Sequence, residues 1–283
     1  MGSWTNRTLD WGRLCAAMAL PAVAALLLAA PDARAQDKNL LTPFSGATGA
    51  QPPAPWHFTT LPNKSPTRFE VDQLDGQRVL KVDADNSYGN LVHPARVELN
   101  EQATLAWRWR VESFVEGADL RTRSGDDGAA KVCVFFDFPA DRLSVGERTR
   151  LSLARRATGE AVPTETLCYV WDNKEAKGNA FDNAFTKRIR MVVLESGAAA
   201  KPGSWTSERR NLLSDYRRAF GEEAGDIRPD VTAVAVSADA DNTHGHGIAY
   251  FSDLDLRGNP PSPAAAAAAS PAPASAERPA QGQ

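Results

Sequence analysis

The central part of the chain alternates short apolar runs with turn-forming residues, a pattern typical of β-strands. The run from Leu105 to Val111 (LAWRWRV) alternates strictly, so its aliphatic and tryptophan side chains share one face and both arginines lie on the other. Phe69 to Val71 leads through Asp75-Gly76 to Val79 to Val82, which predicts a hairpin. The further predicted strands span 131–138, 148–154, 166–171, 188–194, 231–236 and 248–256.

One segment has the spacing of a helix instead. Between Arg209 and Phe220 the apolar residues recur at intervals typical of one helical face, and Gly221 follows where a helix would end. The residues predicted to share the buried face are Leu212, Leu213, Tyr216 and Phe220. Many strands, one short helix and no alternation of strands with helices predict an all-β fold, a β-sandwich or jelly roll.

Both ends of the chain differ from this central part. The apolar run from Leu14 to Ala30 follows basic residues, and Ala33-Arg34-Ala35 has the form of a signal-peptidase site, so we expect export to the periplasm or beyond. A membrane anchor is the alternative, which Pro21 and a run of only about 17 residues disfavour. The expected organisation is a signal peptide over 1–35, an entry segment over 36–55, a β-sandwich domain over 56–258 and a disordered Pro/Ala-rich tail over 259–283.

Charge and motif content limit the classes of function. The chain has 32 Lys and Arg against 35 Asp and Glu, a formal net charge of −3. This small negative charge argues against nucleic acid as the main partner, and no membrane span is expected once the signal is removed. The sequence contains no Gly-x-Ser-x-Gly elbow and no phosphate-binding or dinucleotide-binding glycine motif, so nucleophilic catalysis and nucleotide binding find no support.

Two cysteines remain in the expected mature protein, Cys133 and Cys168. Each lies in the middle of a predicted strand, in KVCVFFDF and TLCYVW. If the two strands pair, the sulfurs would form a disulfide across the sheet in an oxidising compartment. The alternative is two buried free thiols, because cysteine also behaves as a small apolar residue.

A loop rich in oxygen ligands follows the predicted strand 231–236. Calcium binds six to eight oxygen atoms, mostly from carboxylates and carbonyls. The predicted ligands for calcium are Asp239, Asp241 and Asn242, with Asp253 from the last strand. Two alternatives stay open at this point: a polar turn whose side chains bond their own backbone, and direct binding of a polar ligand.

His244-Gly245-His246 follows directly and raises the question of zinc. Two histidines in a glycine-containing loop, without a third ligand at a fixed spacing, are weak evidence for such a site. The alternative is a pair of solvent-exposed loop histidines. We therefore expect no zinc centre here.

Gly125-Asp126-Asp127-Gly128 precedes the strand that contains Lys131. Two carboxylates can act as acid and base when their surroundings separate their pKa values, although sequence neighbours usually point apart. The other interpretations are hydrogen bonding to a ligand, closure of the fold, and a plain turn. Asp126, Asp127 and Lys131 are accordingly candidate ligand-binding residues rather than predicted catalytic ones.

Arginines recur on one face of two predicted strands. They are Arg108 and Arg110 in the first strand and Arg188 and Arg190 in the second. If both faces line one surface, they form a cationic patch for acidic sugars or phosphates. The alternative is a solvated sheet face on which these arginines pair with carboxylates of neighbouring strands.

Aromatic residues offer a possible platform for a sugar ring. Trp107 and Trp109 are in phase with the apolar face of their strand and are predicted core residues. Trp171 ends its strand and leads into a polar loop with Asn173. Trp171 and Asn173 are therefore further candidates for lining a ligand groove.

The order of these segments resembles the bacterial family called domain of unknown function 3047. The shared pattern is WRWRV, GDD, an apolar strand, YVW, a strand ending in SG, a tryptophan, ERRNLLSDYRRAFG and AVSADADNT. The resemblance covers roughly residues 56–256 and implies an exported, jelly-roll-like protein of the galactose-binding or carbohydrate-binding-module type. It implies no established activity.

Three functions remain in competition. The first is a non-catalytic module that binds a glycan or another envelope component. The second is a glycan-acting hydrolase that uses aspartate carboxylates, which must face one cleft roughly 5 to 10 Å apart. The third is a structural or interaction protein of the envelope. The sequence does not decide the ligand or the oligomeric state.

Overall fold

The computed structural model describes residues 38–159, 161–197 and 201–261. The predicted signal peptide, the predicted cleavage site and most of the predicted tail lie outside the described residues. The entry segment is described from residue 38, and its Leu41 and Phe44 are buried in the core. The chain between residues 56 and 258 forms the strands and helices that follow.

Thirteen strands form two sheets that pack face to face. The strands are β1 (His57–Thr59), β2 (Arg68–Leu74), β3 (Gln77–Asp85), β4 (Tyr88–Val97), β5 (Thr104–Ser113), β6 (Gly128–Phe136), β7 (Glu165–Asp172), β8 (Ala180–Asp182), β9 (Ile189–Ser196), β10 (Thr206–Asn211), β11 (Val231–Asp239), β12 (His246–Phe251) and β13 (Asp255–Arg257). Sheet A has the order β1-β4-β11-β6-β7-β9-β8, and sheet B has the order β10-β5-β12-β3-β2, with β13 also paired to β5. The strand pairs are antiparallel except β7 with β9, and this is the all-β jelly-roll-like sandwich that the sequence predicts.

The main core lies between the two sheets. The alternation predicted for β5 is confirmed, because its Leu, Trp and Val side chains are all buried while Arg108 and Arg110 point away. Trp109 packs against Trp171 of sheet A with 5.7 Å between ring centroids. The predicted hairpin is likewise present as β2 and β3, with Asp75 and Gly76 at its turn. The period-two pattern therefore assigns the buried face of sheet B correctly.

The outer face of sheet A carries a second apolar cluster. Alternation along β6 points Val132 and Val134 into the core and Cys133 to the outer face. Cys133 lies directly opposite Cys168 of β7, and the two form a disulfide. Leu120 from the loop between β5 and β6 and Phe181 from the edge strand β8 are buried in the same cluster. The β5–β6 loop thus packs on the outer face of sheet A rather than on the core.

Two helices accompany the sheets, one more than the sequence predicts. The prediction of a strand over 148–154 is wrong, since this segment belongs to helix α1 (Val145–Thr158). Ser144 and Glu147 form a capping box at its start, and these reciprocal bonds satisfy backbone N–H groups that a strand would leave for a neighbour. Gly159 ends the helix in a left-handed conformation.

The second helix, α2 (Leu212–Ala224), corresponds to the predicted one but begins later, because β10 occupies residues 206–211. Its predicted face is buried: Leu212, Leu213, Tyr216 and Phe220. The Tyr216 hydroxyl donates to the buried Glu165 carboxylate at 2.7 Å, which ties the helix to β7. No helix within 38–159, 161–197 and 201–261 is long and apolar enough to cross a membrane.

Candidate functional site

The turn before β6, from Gly125 to Gly128, is hydrogen-bonded to the loop that follows β11. Asp127 is 1% exposed, and its carboxylate accepts the backbone N–H of Asn242 at 3.2 Å and of Thr243 at 2.7 Å. The Thr243 hydroxyl donates to the same carboxylate at 2.7 Å. Three donors therefore use both oxygens of Asp127, and its role is to fix the 240–245 loop against the turn.

Asp126 points the other way, as sequence neighbours commonly do. It is 8% exposed, and its Oδ2 accepts the side-chain amide of Asn183 at 2.8 Å. Its Oδ1 is buried and has no hydrogen-bond partner among the described residues. Buried carboxylate oxygens are normally paired, because an unpaired one loses its hydration without compensation. Asp126 Oδ1 is therefore a buried acceptor whose hydrogen-bonding capacity the described residues leave unused.

A buried ion pair lies beside this carboxylate. Lys131 donates to both oxygens of Asp239, at 2.7 and 2.9 Å, and the Gly128 N–H donates to Asp239 at 2.8 Å. Alternation along β6 and β11 puts Lys131 and Asp239 on the outer face of sheet A, with Cys133 and Ala235. The pair is thus part of the same outer surface as the disulfide.

The charge balance of this cluster governs its protonation. Burial raises the pKa of Asp239 to about 6, with Asp126 and Asp127 adding to the rise and Lys131 opposing it. Burial acts to lower the pKa of Lys131, but Asp239 and Asp126 outweigh it and the pKa is raised. The two shifts differ in cause, since burial is the largest contribution to the rise in the pKa of Asp239, whereas nearby carboxylates raise the pKa of Lys131 against its burial. Lys131 consequently remains charged at neutral pH and is no nucleophile.

An exposed aromatic ring lies on the loop after β8, the loop whose Asn183 side chain is bonded to Asp126. Asn183 Oδ1 accepts the backbone N–H of Phe185 at 3.0 Å, which fixes this loop next to the carboxylate. Phe185 is 54% exposed, and the Arg123 guanidinium lies 5.4 Å from its ring centroid. Arg123 also donates to the Ala184 carbonyl at 3.1 Å. Asp126, Asn183 and Phe185, with Arg123, form what we call the Asp126 site.

The predicted calcium ligands are spread over several partners. Asp239 pairs with Lys131 and Asp241 with Lys64, while Asp253 lies beyond the far end of β12 and accepts Ser45 N–H at 2.9 Å. Asn242 donates its side-chain amide to the Asp126 carbonyl at 3.3 Å. Within the part of the chain that the structure describes, no three His, Cys, Asp or Glu side chains are grouped to hold a metal ion.

The two histidines are exposed and bond to different residues, one in β3 and one in the turn that follows it. His244 donates to the Asn86 side-chain oxygen at 2.9 Å, and His246 lies 2.9 Å from an Asp83 oxygen. They bond the connection from β11 in sheet A to β12 in sheet B to different residues and do not meet at one common centre. This arrangement agrees with the exposed alternative for both residues.

The four predicted arginines do not line one surface. Arg108 and Arg110 lie on the outer face of sheet B, whereas Arg188 and Arg190 lie in and before β9 of sheet A. Arg188 donates to Glu165 at 2.9 Å and also pairs with Glu147 and Glu223. Because Arg190 bonds Glu223 and the Ala219 carbonyl at 3.2 Å, this second pair secures α2 against sheet A.

Trp171 and Asn173 also differ from their predicted places. Trp171 is 2% exposed and packs in the core, because its alternation in β7 is in phase with Leu167 and Tyr169. Asn173 donates to the Val115 carbonyl at 2.6 Å and anchors the loop that contains Asp126. The aromatic ring that is exposed near the site is Phe185, which sequence reasoning missed. Its segment 180–185 (AFDNAF) has no period that separates a ligand-facing ring from a core one.

A family model described as "Protein of unknown function (DUF3047)" matches residues 54–255. This match covers β1 to β12 and the Asp126 site. None of the curated proteins compared with the chain is a significant match.

Several solved structures are similar to the chain at low sequence identity. The xyloglucanase domain of NopAA from Sinorhizobium fredii, in complex with cellobiose, is 10% identical with a TM-score of 0.40, covering 72% of this chain and 93% of that one. Endoglucanase 3 of Trichoderma harzianum, from family GH12, is 11% identical with a TM-score of 0.38, covering 74% and 100%. A family 12 xyloglucanase from Bacillus licheniformis is 10% identical with a TM-score of 0.36, covering 72% and 99%. All three TM-scores are below 0.5, so these similarities assign no activity to this chain.

Proposed function

The chain belongs to the DUF3047 family, whose description names no activity, and we propose that it is an exported, non-catalytic module that binds a glycan at the Asp126 site. The observation that carries the proposal is the Asp126 carboxylate. One oxygen is fixed by Asn183, and the other is buried without a partner among the described residues. The apolar leader with its Ala33-Arg34-Ala35 site supports the export part of the proposal.

The chemistry of the site favours a ligand with hydroxyl groups. A carboxylate oxygen only accepts hydrogen bonds, so its partner must be a donor. Lys131 already supplies the cation of this cluster, which favours a neutral donor such as a hydroxyl. Sugars combine hydroxyl groups with an apolar ring face, and the exposed ring of Phe185 offers a flat surface for that face.

The hydrogen bonds of the neighbouring carboxylates favour binding over hydrolysis. Hydrolysis of a glycosidic bond uses two carboxyl groups that both reach the substrate. Asp127 is fully used by the 242–243 loop, and Asp239 is bonded to Lys131 and to Gly128. Of these three carboxylates, Asp126 alone has an oxygen without a partner among the described residues, which suits a hydrogen-bond acceptor for a ligand rather than an acid–base pair.

The test is a screen of neutral and acidic glycans followed by calorimetry. Protein produced from the full chain is compared with D126N and with D72N, whose residue is exposed in β2 on the other sheet. We expect a glycan that binds the wild type and D72N equally and binds D126N about tenfold or more weakly, since the acceptor becomes an amide. Equal binding by D126N would overturn the assigned site, and no binding by any glycan would overturn the ligand class. Release of reducing ends would favour the hydrolase instead.

A further inference from the structure

A concave region lies against the outer face of sheet B, away from the Asp126 site on sheet A. It is a cleft of about 400 Å³. Its lining residues are Ser45, Gln77, Arg78, Val79, Arg108, Ser252 and Asp253. This volume lies within the range of small-molecule sites. We call it the Arg78–Arg108 cleft.

Both arginines of the cleft are held in place by neutral partners. Arg108 donates to the Gln77 side-chain oxygen at 2.6 Å, and its guanidinium lies 5.2 Å from the Trp205 ring centroid. Arg78 donates to the Gly49 carbonyl at 2.5 Å. No carboxylate among the described residues lies within ion-pair distance of either guanidinium, and the Asp253 carboxylate that also lines the cleft is bonded to Ser45 instead. Fixed guanidinium groups of this kind bind planar anions without a large loss of side-chain entropy.

One donor in the cleft is buried and unused. Arg78 Nε has no hydrogen-bond partner among residues 38–159, 161–197 and 201–261 and is shielded from solvent. A buried donor without an acceptor is unfavourable unless a ligand supplies the acceptor. The carboxylate of Asp253 does not fill this role, because its two oxygens accept the N–H and the hydroxyl of Ser45, at 2.9 and 2.5 Å.

Arg110, on the same face of β5 as Arg108, differs from it in being paired with carboxylates. Arg110 is bonded to Glu112 at 2.6 Å and lies 3.5 Å from Asp75, so its charge is neutralised within the protein. Arg108, two residues earlier, contacts Gln77 and the Trp205 ring and pairs with no carboxylate among the described residues. Of these two arginines, Arg108 therefore keeps its charge unpaired.

We propose that the Arg78–Arg108 cleft binds the carboxylate of a sugar acid. The two guanidiniums would bind the carboxylate, as guanidinium N–H groups match carboxylate oxygens in geometry. Gln77, Ser45 and Ser252 offer polar groups for the hydroxyls of the sugar, and buried Val79 provides an apolar floor. This site is separate from the Asp126 site and does not depend on the proposed function.

The experiment follows the indole N–H resonance of Trp205, assigned with W205F, while D-glucuronate is added to the full chain. D-glucose is the neutral match, acetate supplies a bare carboxylate, and sulfate a different anion. R108Q and R78K test the cleft, and R110Q is the matched control on the same strand face. Circular dichroism and melting temperature confirm that each variant is folded.

We expect D-glucuronate to shift the Trp205 resonance with saturation, and to do so in R110Q and D126N as in the wild type. R108Q should weaken the affinity by about tenfold or more, and added salt should weaken it as well. R78K should weaken it less than R108Q, because lysine keeps the charge but lacks Nε–H. No saturable shift, or an unchanged affinity in R108Q, would overturn the proposal. Equal affinity for acetate or glucose would overturn the assignment to a sugar acid.

Discussion

Asn183 fixes one oxygen of Asp126 at 2.8 Å across 57 residues of sequence, while the other oxygen of that carboxylate is buried and unpaired among the described residues. The amide of Asn183 thereby orients the carboxylate, because only Oδ2 is satisfied by the protein. The same side chain accepts the N–H of Phe185, which links the carboxylate to an exposed ring. A single asparagine thus connects the two groups that we assign to glycan binding.

The same substitution should affect stability more at Asp127 than at Asp126. D127N places an amide NH₂ against the N–H groups of the 242–243 loop, and we expect it to lower the free energy of unfolding by about 1–3 kcal/mol. D126N keeps an acceptor for Asn183, and its effect should be below about 1 kcal/mol. Urea unfolding of the two variants provides the comparison. A larger loss in D126N than in D127N would contradict the assigned roles.

The Lys131–Asp239 pair predicts a pH-dependent loss of stability. K131M leaves the buried Asp239 carboxylate without its cation, and breaking such a pair costs about 3–5 kcal/mol. The loss should be smaller at pH 5 than at pH 8, since Asp239 can then be protonated. Adding D239N should recover part of the loss at pH 8. Unfolding curves that are equal at both pH values would exclude this electrostatic account.

The exposed ring of Phe185 gives a prediction about binding alone. F185A removes the ring surface that stacks on the sugar. It should lower the affinity for the glycan by about fivefold or more, because roughly 1 kcal/mol of ring contact is lost. F58A is the matched control, because Phe58 is 40% exposed at the other edge of sheet A. Calorimetry with the same glycan measures both. A weaker glycan affinity in F58A than in F185A would place the ligand at the β1 edge of sheet A and contradict the Asp126 site.

Glu208 of β10 should make the fold less stable as pH rises. Burial raises the pKa of Glu208 to about 7 and Glu195 adds to the rise, while Lys177 and Arg210 oppose it. Its Oε1 is buried without a partner among the described residues. Between pH 4.5 and 7 the folded protein therefore keeps a proton that the unfolded chain has released, so stability falls as pH rises through this interval and not above it.

E208Q removes this titration. At pH 8 it should raise the free energy of unfolding relative to wild type by roughly 1–3 kcal/mol, and at pH 4.5 the difference should be close to zero. Urea unfolding at several pH values gives the difference directly. E70Q, at an exposed position of β2, should show no such change. A difference between E208Q and wild type that is constant with pH would refute the prediction.

Local patterns predicted much of the fold. The strict alternation of Leu105 to Val111 assigned the buried face of β5, and the apolar spacing of Leu212 to Phe220 assigned that of α2. Helix α1 was missed because its apolar residues are few and partly exposed, so it lacks a buried stripe. Ser144 and Glu147 nevertheless have the spacing of a capping box, which was a readable signal for its start.

The candidate site was only partly readable from sequence. The Gly125 to Gly128 turn marked Asp126 and Asp127, but the opposite directions of the two carboxylates depend on which loop reaches each of them. Asn183 follows the three-residue strand β8, and it joins the sheet that contains β6 only through the pairing of β8 with β9 and of β9 with β7. The pairing of strands distant in sequence also separates Arg108 from Arg190, and no local pattern contains that information.

The most direct test of the account is a titration that follows the side-chain amide of Asn183 by NMR while the selected glycan is added. Binding at Asp126 should shift the two Nδ2 proton resonances of Asn183 and the backbone resonance of Phe185, with the same affinity as calorimetry. The D126N protein should show neither shift at the same glycan concentration. Saturable binding with unchanged Asn183 and Phe185 resonances would contradict the assignment of this surface as the glycan site.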